Sequence, residues 1–73
     1  MNNLKIKDYI INNFKEDDIN TLRNTISECI SLGDEETLPG MGVFLELIWI
    51  GANEDIKKSM LDILYKELRK KIN

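Results

Sequence analysis

At 73 residues, with one cysteine and no histidine, this chain has room for a single domain, 1–73, and few means of stapling it. Cys29 has no second thiol for an intramolecular disulfide, and one thiol without imidazole does not build a structural zinc site. A composition of 42% hydrophobic and 32% charged residues is that of a folding chain, and a net charge of -3 argues against general attraction to nucleic acid.

The first helix is predicted over Asn3–Phe14, where Ile6, Ile10 and Phe14 fall at four-residue steps and Leu4 and Ile11 flank the same stripe. The opening Met1-Asn2-Asn3-Leu4-Lys5-Ile6-Lys7 is broken by Asn and Lys, so no signal peptide is expected. The acidic break Glu16-Asp17-Asp18 ends this helix and opens the next, with Asp17 or Asp18 as cap. The second helix presents Ile19, Leu22, Ile26, Cys29 and Ile30 on one face, and Gly33 follows where a left-handed cap belongs. Cys29 reads as a plain core thiol, since no histidine is present to activate it.

Asp34-Glu35-Glu36-Thr37 reads as a single turn of helix whose acids are solvated and favour the positive dipole end. Leu38-Pro39-Gly40-Met41-Gly42 is the Pro/Gly cluster of the chain and is read as a packing turn. It also has the shape of the turn in helix-hairpin-helix modules, so Gly40 and Gly42 are candidate phosphate contacts. The segment Val43–Ile50 is apolar at every position except Glu46 and is stopped by Gly51. It reads as a central helix surrounded by others or by a second subunit; a buried strand is the rival reading, but no second strand is visible to pair with it. Val43, Phe44, Leu47, Ile48 and Trp49 are its candidate core and interaction residues. Glu46 is expected to face solvent or, if buried, to pair with a lysine of the last helix. The longest apolar run, Leu47–Ile50, is four residues against the roughly 20 a membrane helix needs, so no membrane is expected.

Asn53 caps the last predicted helix, with Glu54 and Asp55 in its first turn. Its inward face is Ile56, Met60, Ile63, Leu64 and Leu68. Residues 57–73 hold six bases against two acids, and Arg69, Lys70 and Lys71 offset the dipole and form a candidate DNA-binding surface. The fold class expected is therefore all-α, a compact bundle of about four short helices around an apolar central helix. No nucleophile–base pair or metal set can be assembled, so the chain is expected to be no enzyme, with no cofactor and no small-molecule substrate.

The run Ile30-Ser31-Leu32-Gly33-Asp34-Glu35-Glu36-Thr37-Leu38-Pro39-Gly40-Met41-Gly42-Val43-Phe44, continuing through Glu46 and Ile48-Trp49, resembles the I-type minor small acid-soluble spore proteins. Thr25-Ile26 upstream and Met60-Leu61 and Leu64 downstream are similar as well, whereas Cys29 and the denser basic tail depart from the pattern. The resemblance implies a protein made in the developing forespore and held in the spore core, with no enzymatic activity, cofactor or ligand site to carry over. The α/β-type spore proteins that coat DNA are a separate family whose pattern is not found here. The leading expectation is thus a structural or interaction protein of the spore core, pairing as a homodimer through Val43–Ile50. The alternative is a DNA-associated spore protein using the Gly40–Gly42 turn or the basic C-terminal helix.

Overall fold

The structure, a computed structural model, describes residues 3–71. Four helices follow one another: α1 (Asn3–Phe14), α2 (Ile19–Leu32), α3 (Leu38–Gly51) and α4 (Glu54–Lys70), with a 3-10 turn at Glu35–Thr37 before α3. No strand occurs among the described residues, so the apolar run is helix. Met1, Asn2 and the side chain of Leu4, read above as part of the N-terminal stretch and first stripe, lie outside the described residues.

The helix ends follow local chemistry. Asp18, in extended conformation, accepts the Thr21 amide at 2.8 Å and starts α2. This hydrogen bond, with a second from the Thr21 side chain, holds the Asp18 carboxyl below its ordinary range by favouring the charged form. Gly33 ends α2 at φ 62°, its amide donating to the Cys29 carbonyl at 3.1 Å; a side chain would be strained there. Asp34 accepts the Glu36 amide at 3.0 Å, and Asn53 accepts that of Ile56 at 2.8 Å to start α4.

Leu38-Pro39-Gly40-Met41-Gly42 is not a turn preceding the apolar helix but its first turn. α3 begins at Leu38, five residues before the predicted start. Proline tolerates this position because the first amides of a helix have no partner to lose, and among the described glycines only Gly33 takes a positive φ. Gly40 and Gly42, the candidate phosphate contacts, therefore lie within the first turn and a half of α3 and not in a separate turn ahead of it.

The main packing is α1 against α3. At Gly40 the helices come close enough that an added Cβ would lie 3.6 Å from Ile10 Cδ1. Phe14 meets Phe44 edge to face, ring centres 5.3 Å apart. Glu46 is exposed, as expected, and Lys7 Nζ of α1 reaches it there at 2.8 Å. Val43 of α3, 8% exposed, is the one buried residue among those described.

The bundle is open where a compact one was expected. Its radius of gyration is 13.8 Å, against about 11 Å for a compact domain of this length. Only one flank of α3 is covered, because α1 supplies one apolar stripe and α3 is apolar on nearly all sides. The inward faces assigned to α2 and α4 are correspondingly incomplete. Leu22, Ile26 and Cys29 are half-buried while Ile19 and Ile30 are exposed, and on α4 Met60 is half-buried while Ile56, Ile63, Leu64 and Leu68 are exposed.

Candidate interaction surface

Helical geometry divides the apolar residues of α3 between two sides. Gly40, Val43, Phe44 and Leu47 share the side that α1 covers, whereas Gly42, Leu45, Trp49 and Ile50 lie toward α4. The first side bounds a groove of ≈ 340 Å³ lined by residues of α1 and α2 together with Phe44, Leu47 and Ile48. The second bounds a larger one of ≈ 780 Å³, walled by Leu45, Trp49 and Ile50 from α3 and by Met60, Ile63 and Leu64 from α4. The structure thus separates the five predicted interaction residues: Phe44, Leu47 and Ile48 line the first groove, Trp49 borders the second, and Val43 is buried and lines neither.

This second groove is apolar and open to water. Trp49 is 37% exposed, Ile50 69% and Ile63 63%. Lys57 sits over the Trp49 ring at 5.3 Å from its centre and ties the start of α4 to the end of α3. Glu46 and Glu67 stand in its lining. Leu45, Ile50, Ile63 and Leu64 were not singled out as surface residues from sequence. The signal was available: three apolar faces and an all-round apolar helix leave more stripes than one chain can pair.

The whole molecule carries the same imbalance. It exposes 6540 Å² of surface, where a compact folded protein of 8.5 kDa exposes about 4,650 Å². Within that surface, the exposed apolar walls formed by Leu45, Ile50, Ile63 and Leu64, with Glu46 and Glu67 among them, have the character of a contact site.

The candidate nucleic-acid residues are dispersed. Gly40 and Gly42 lie in α3, one against α1 and the other in the second groove. Arg69 lies over the Tyr65 ring at 4.9 Å and donates to its hydroxyl at 2.9 Å, and Lys70 is paired with Glu67 at 2.8 Å. Lys66 pairs with Asp62 at 3.5 Å. Lys71 follows the helix as its cap, its amide donating to the Leu68 carbonyl at 3.0 Å. No group of three or more His, Cys, Asp or Glu able to hold a metal occurs among the described residues, and no described helix is long and apolar enough to cross a membrane.

Comparison with known proteins gives the sequence a setting. A family model described as "Small, acid-soluble spore protein I" matches residues 4–68. A protein of that description from Geobacillus kaustophilus (strain HTA426) is 36% identical over 66 residues, 90% of this chain and 96% of the relative. Another from Bacillus cereus (strain AH187) is 45% identical over 49 residues, 67% of this chain and 71% of the relative, as is one from Bacillus anthracis (strain A0248). No solved structure matches.

Proposed function

Since the chain belongs to the small, acid-soluble spore protein I family, we propose that it is a non-catalytic protein of the endospore core, made during sporulation, that works by protein contact. The observation that carries this reading is the open apolar groove between α3 and α4, whose walls include Ile50 and Ile63, each more than 60% exposed. The polar residues with defined bonds have structural employment: Asp18, Asp34 and Asn53 cap helices, and Glu46 ties α1 to α3. The residue types of the chain, with no histidine and one half-buried thiol, supply no activated nucleophile.

The test uses p-benzoylphenylalanine installed at Ile50 in sporulating cells and activated by light. The expected result is a covalent adduct with protein, either another copy or a second polypeptide. Absence of any adduct, or adducts with DNA alone, would overturn the reading.

Binding of DNA through Gly40 and Gly42 or through Arg69, Lys70 and Lys71 draws less support. Thr37 makes no side-chain cap bond at the start of α3, but the Leu38 amide is bonded to the Glu35 carbonyl, Pro39 has no amide to offer, and Glu35 and Glu36 immediately precede them. At the tail, Arg69 and Lys70 are engaged with Tyr65 and Glu67. Fluorescence anisotropy of labelled duplex DNA should show no saturable binding at near-physiological salt. Tight, salt-sensitive binding that vanishes when Arg69, Lys70 and Lys71 are neutralised would install the DNA reading instead.

A further inference from the structure

We infer that the α3/α4 groove is the interface of a two-fold symmetric dimer in which the α4 helices of two copies of this chain lie antiparallel. The inference rests on the protein-contact reading above and goes further by naming the occupant and its orientation.

Area supports a second copy. The whole molecule exposes about 1,900 Å² more than a compact domain of its mass, and the open α3/α4 face is one part of that excess; a standard stable interface takes roughly 800 Å² from each partner. A two-fold interface uses one patch twice, so the patch must be complementary to itself. The α3/α4 face can meet that condition because Met60, Ile63 and Leu64, which wall the hollow, belong to a longer apolar stripe of α4 that Ile56 and Leu68 extend at either end.

Charge fixes the orientation. α4 begins with Glu54 and Asp55 and ends with Arg69 and Lys70, all exposed. Within the helix Glu54 meets Lys57 at 3.7 Å, Lys70 meets Glu67 at 2.8 Å and Arg69 meets Tyr65, solvated contacts weak enough for a facing copy of opposite charge to exchange. Two parallel copies would set acid against acid and base against base. Antiparallel copies set the acidic turn of each against the basic turn of the other, and their helix dipoles oppose favourably. The register is also readable. Asp55, Ser59, Lys66 and Lys70 run along one border of the apolar stripe at helical steps. With the two-fold axis between Asp62 and Ile63, Asp55 of one copy stands opposite Lys70 of the other, and Ser59 opposite Lys66. The pairing leaves each stripe against its counterpart.

Two experiments on the purified full chain decide the matter. In sedimentation equilibrium from low to high micromolar concentration, the chain should follow a reversible monomer–dimer equilibrium. The double variants E54K/D55K and R69E/K70E should each weaken dimerisation by about tenfold or more, because each copy then meets its own charge. An equal mixture of the two should restore it, since the reversed acidic end of one now faces the reversed basic end of the other. A chain that stays monomeric, or a dimer indifferent to both reversals, overturns the inference.

The second experiment needs no variant and so does not depend on one folding. A zero-length carbodiimide cross-link between Asp55 and Lys70, applied to a mixture of normal and 15N-labelled protein, should appear in the mixed-isotope form. Within one helix these residues are separated by a rise of about 22 Å, too far for such a link. Cross-linked dimers lacking the Asp55–Lys70 link overturn the antiparallel register. Should the purified chain be monomeric while the Ile50 probe still captures a different protein in cells, the dimer fails and the protein-contact reading stands.

Discussion

At the scale of single residues, the helix ends are the most sharply determined features and the easiest to test. Asn53 satisfies one otherwise free amide at the start of α4, so Asn53→Ala should cost about 1 kcal/mol in urea unfolding. Gly33 holds a left-handed conformation, and Gly33→Ala should cost about 1 kcal/mol or somewhat more through the Cβ clash of that region. Asp18 adds a pH dependence. Its carboxyl titrates lower in the folded chain than its ordinary 3.8, so its contribution is fully present above that value and is lost as pH falls through the lower folded value. Thermal unfolding at neutral pH should therefore show Asp18→Ala less stable than wild type, with the difference closing in strong acid. These caps were legible in the sequence because a cap is a short-range event: Asp18, Gly33 and Asn53 each bond within four residues of themselves.

At the scale of elements, α3 shows where sequence reading stops. The Pro-Gly cluster reads as a turn because proline and glycine punctuate chains, yet both are acceptable in a first helical turn, and Gly40 is where α1 comes close. That closeness makes a signed prediction. Gly40→Ala places its Cβ in ordinary contact with Ile10 and removes a flexible helical residue, so stability should rise by about 0.5–1 kcal/mol in denaturant titration. Gly40→Leu should lower it by pushing α1 away. The Phe14–Phe44 contact joins the same two helices, and a double-mutant cycle to leucine should return a coupling of about 0.5–1.5 kcal/mol. The Lys7–Glu46 pair is partly solvated and should contribute at most about 1 kcal/mol, shrinking with added salt. Its lysine could not be chosen from sequence, because helical periodicity gives which faces are apolar but not which helix each face meets.

At the scale of the molecule, four helices and the all-α class follow from periodicity, whereas openness does not. Every apolar stripe in a sequence looks inward until the partners are counted. Here α1 occupies one side of α3, and the stripes of α3 and α4 that remain form a groove instead of a core. This is why Trp49, read as central, is 37% exposed and belongs to the groove with Leu45, Ile50 and Ile63. Stability that depends on covering such a surface depends on concentration, since association adds to the folded state by mass action. Thermal melts of the wild-type chain should shift upward as protein concentration is raised, and the E54K/D55K and R69E/K70E variants should each lose that shift.

One side chain makes the groove observable without any label. Trp49 is the sole tryptophan, half-shielded in the groove wall with the Lys57 ammonium over its ring. Its indole emission therefore belongs to this seam alone. Against a dry second surface it should emit toward the blue, and on dilution it should move to the red in a single concentration-dependent step. The molecule thus carries its own optical gauge of whether the seam is wet or sealed, readable at concentrations far below those a scattering experiment needs.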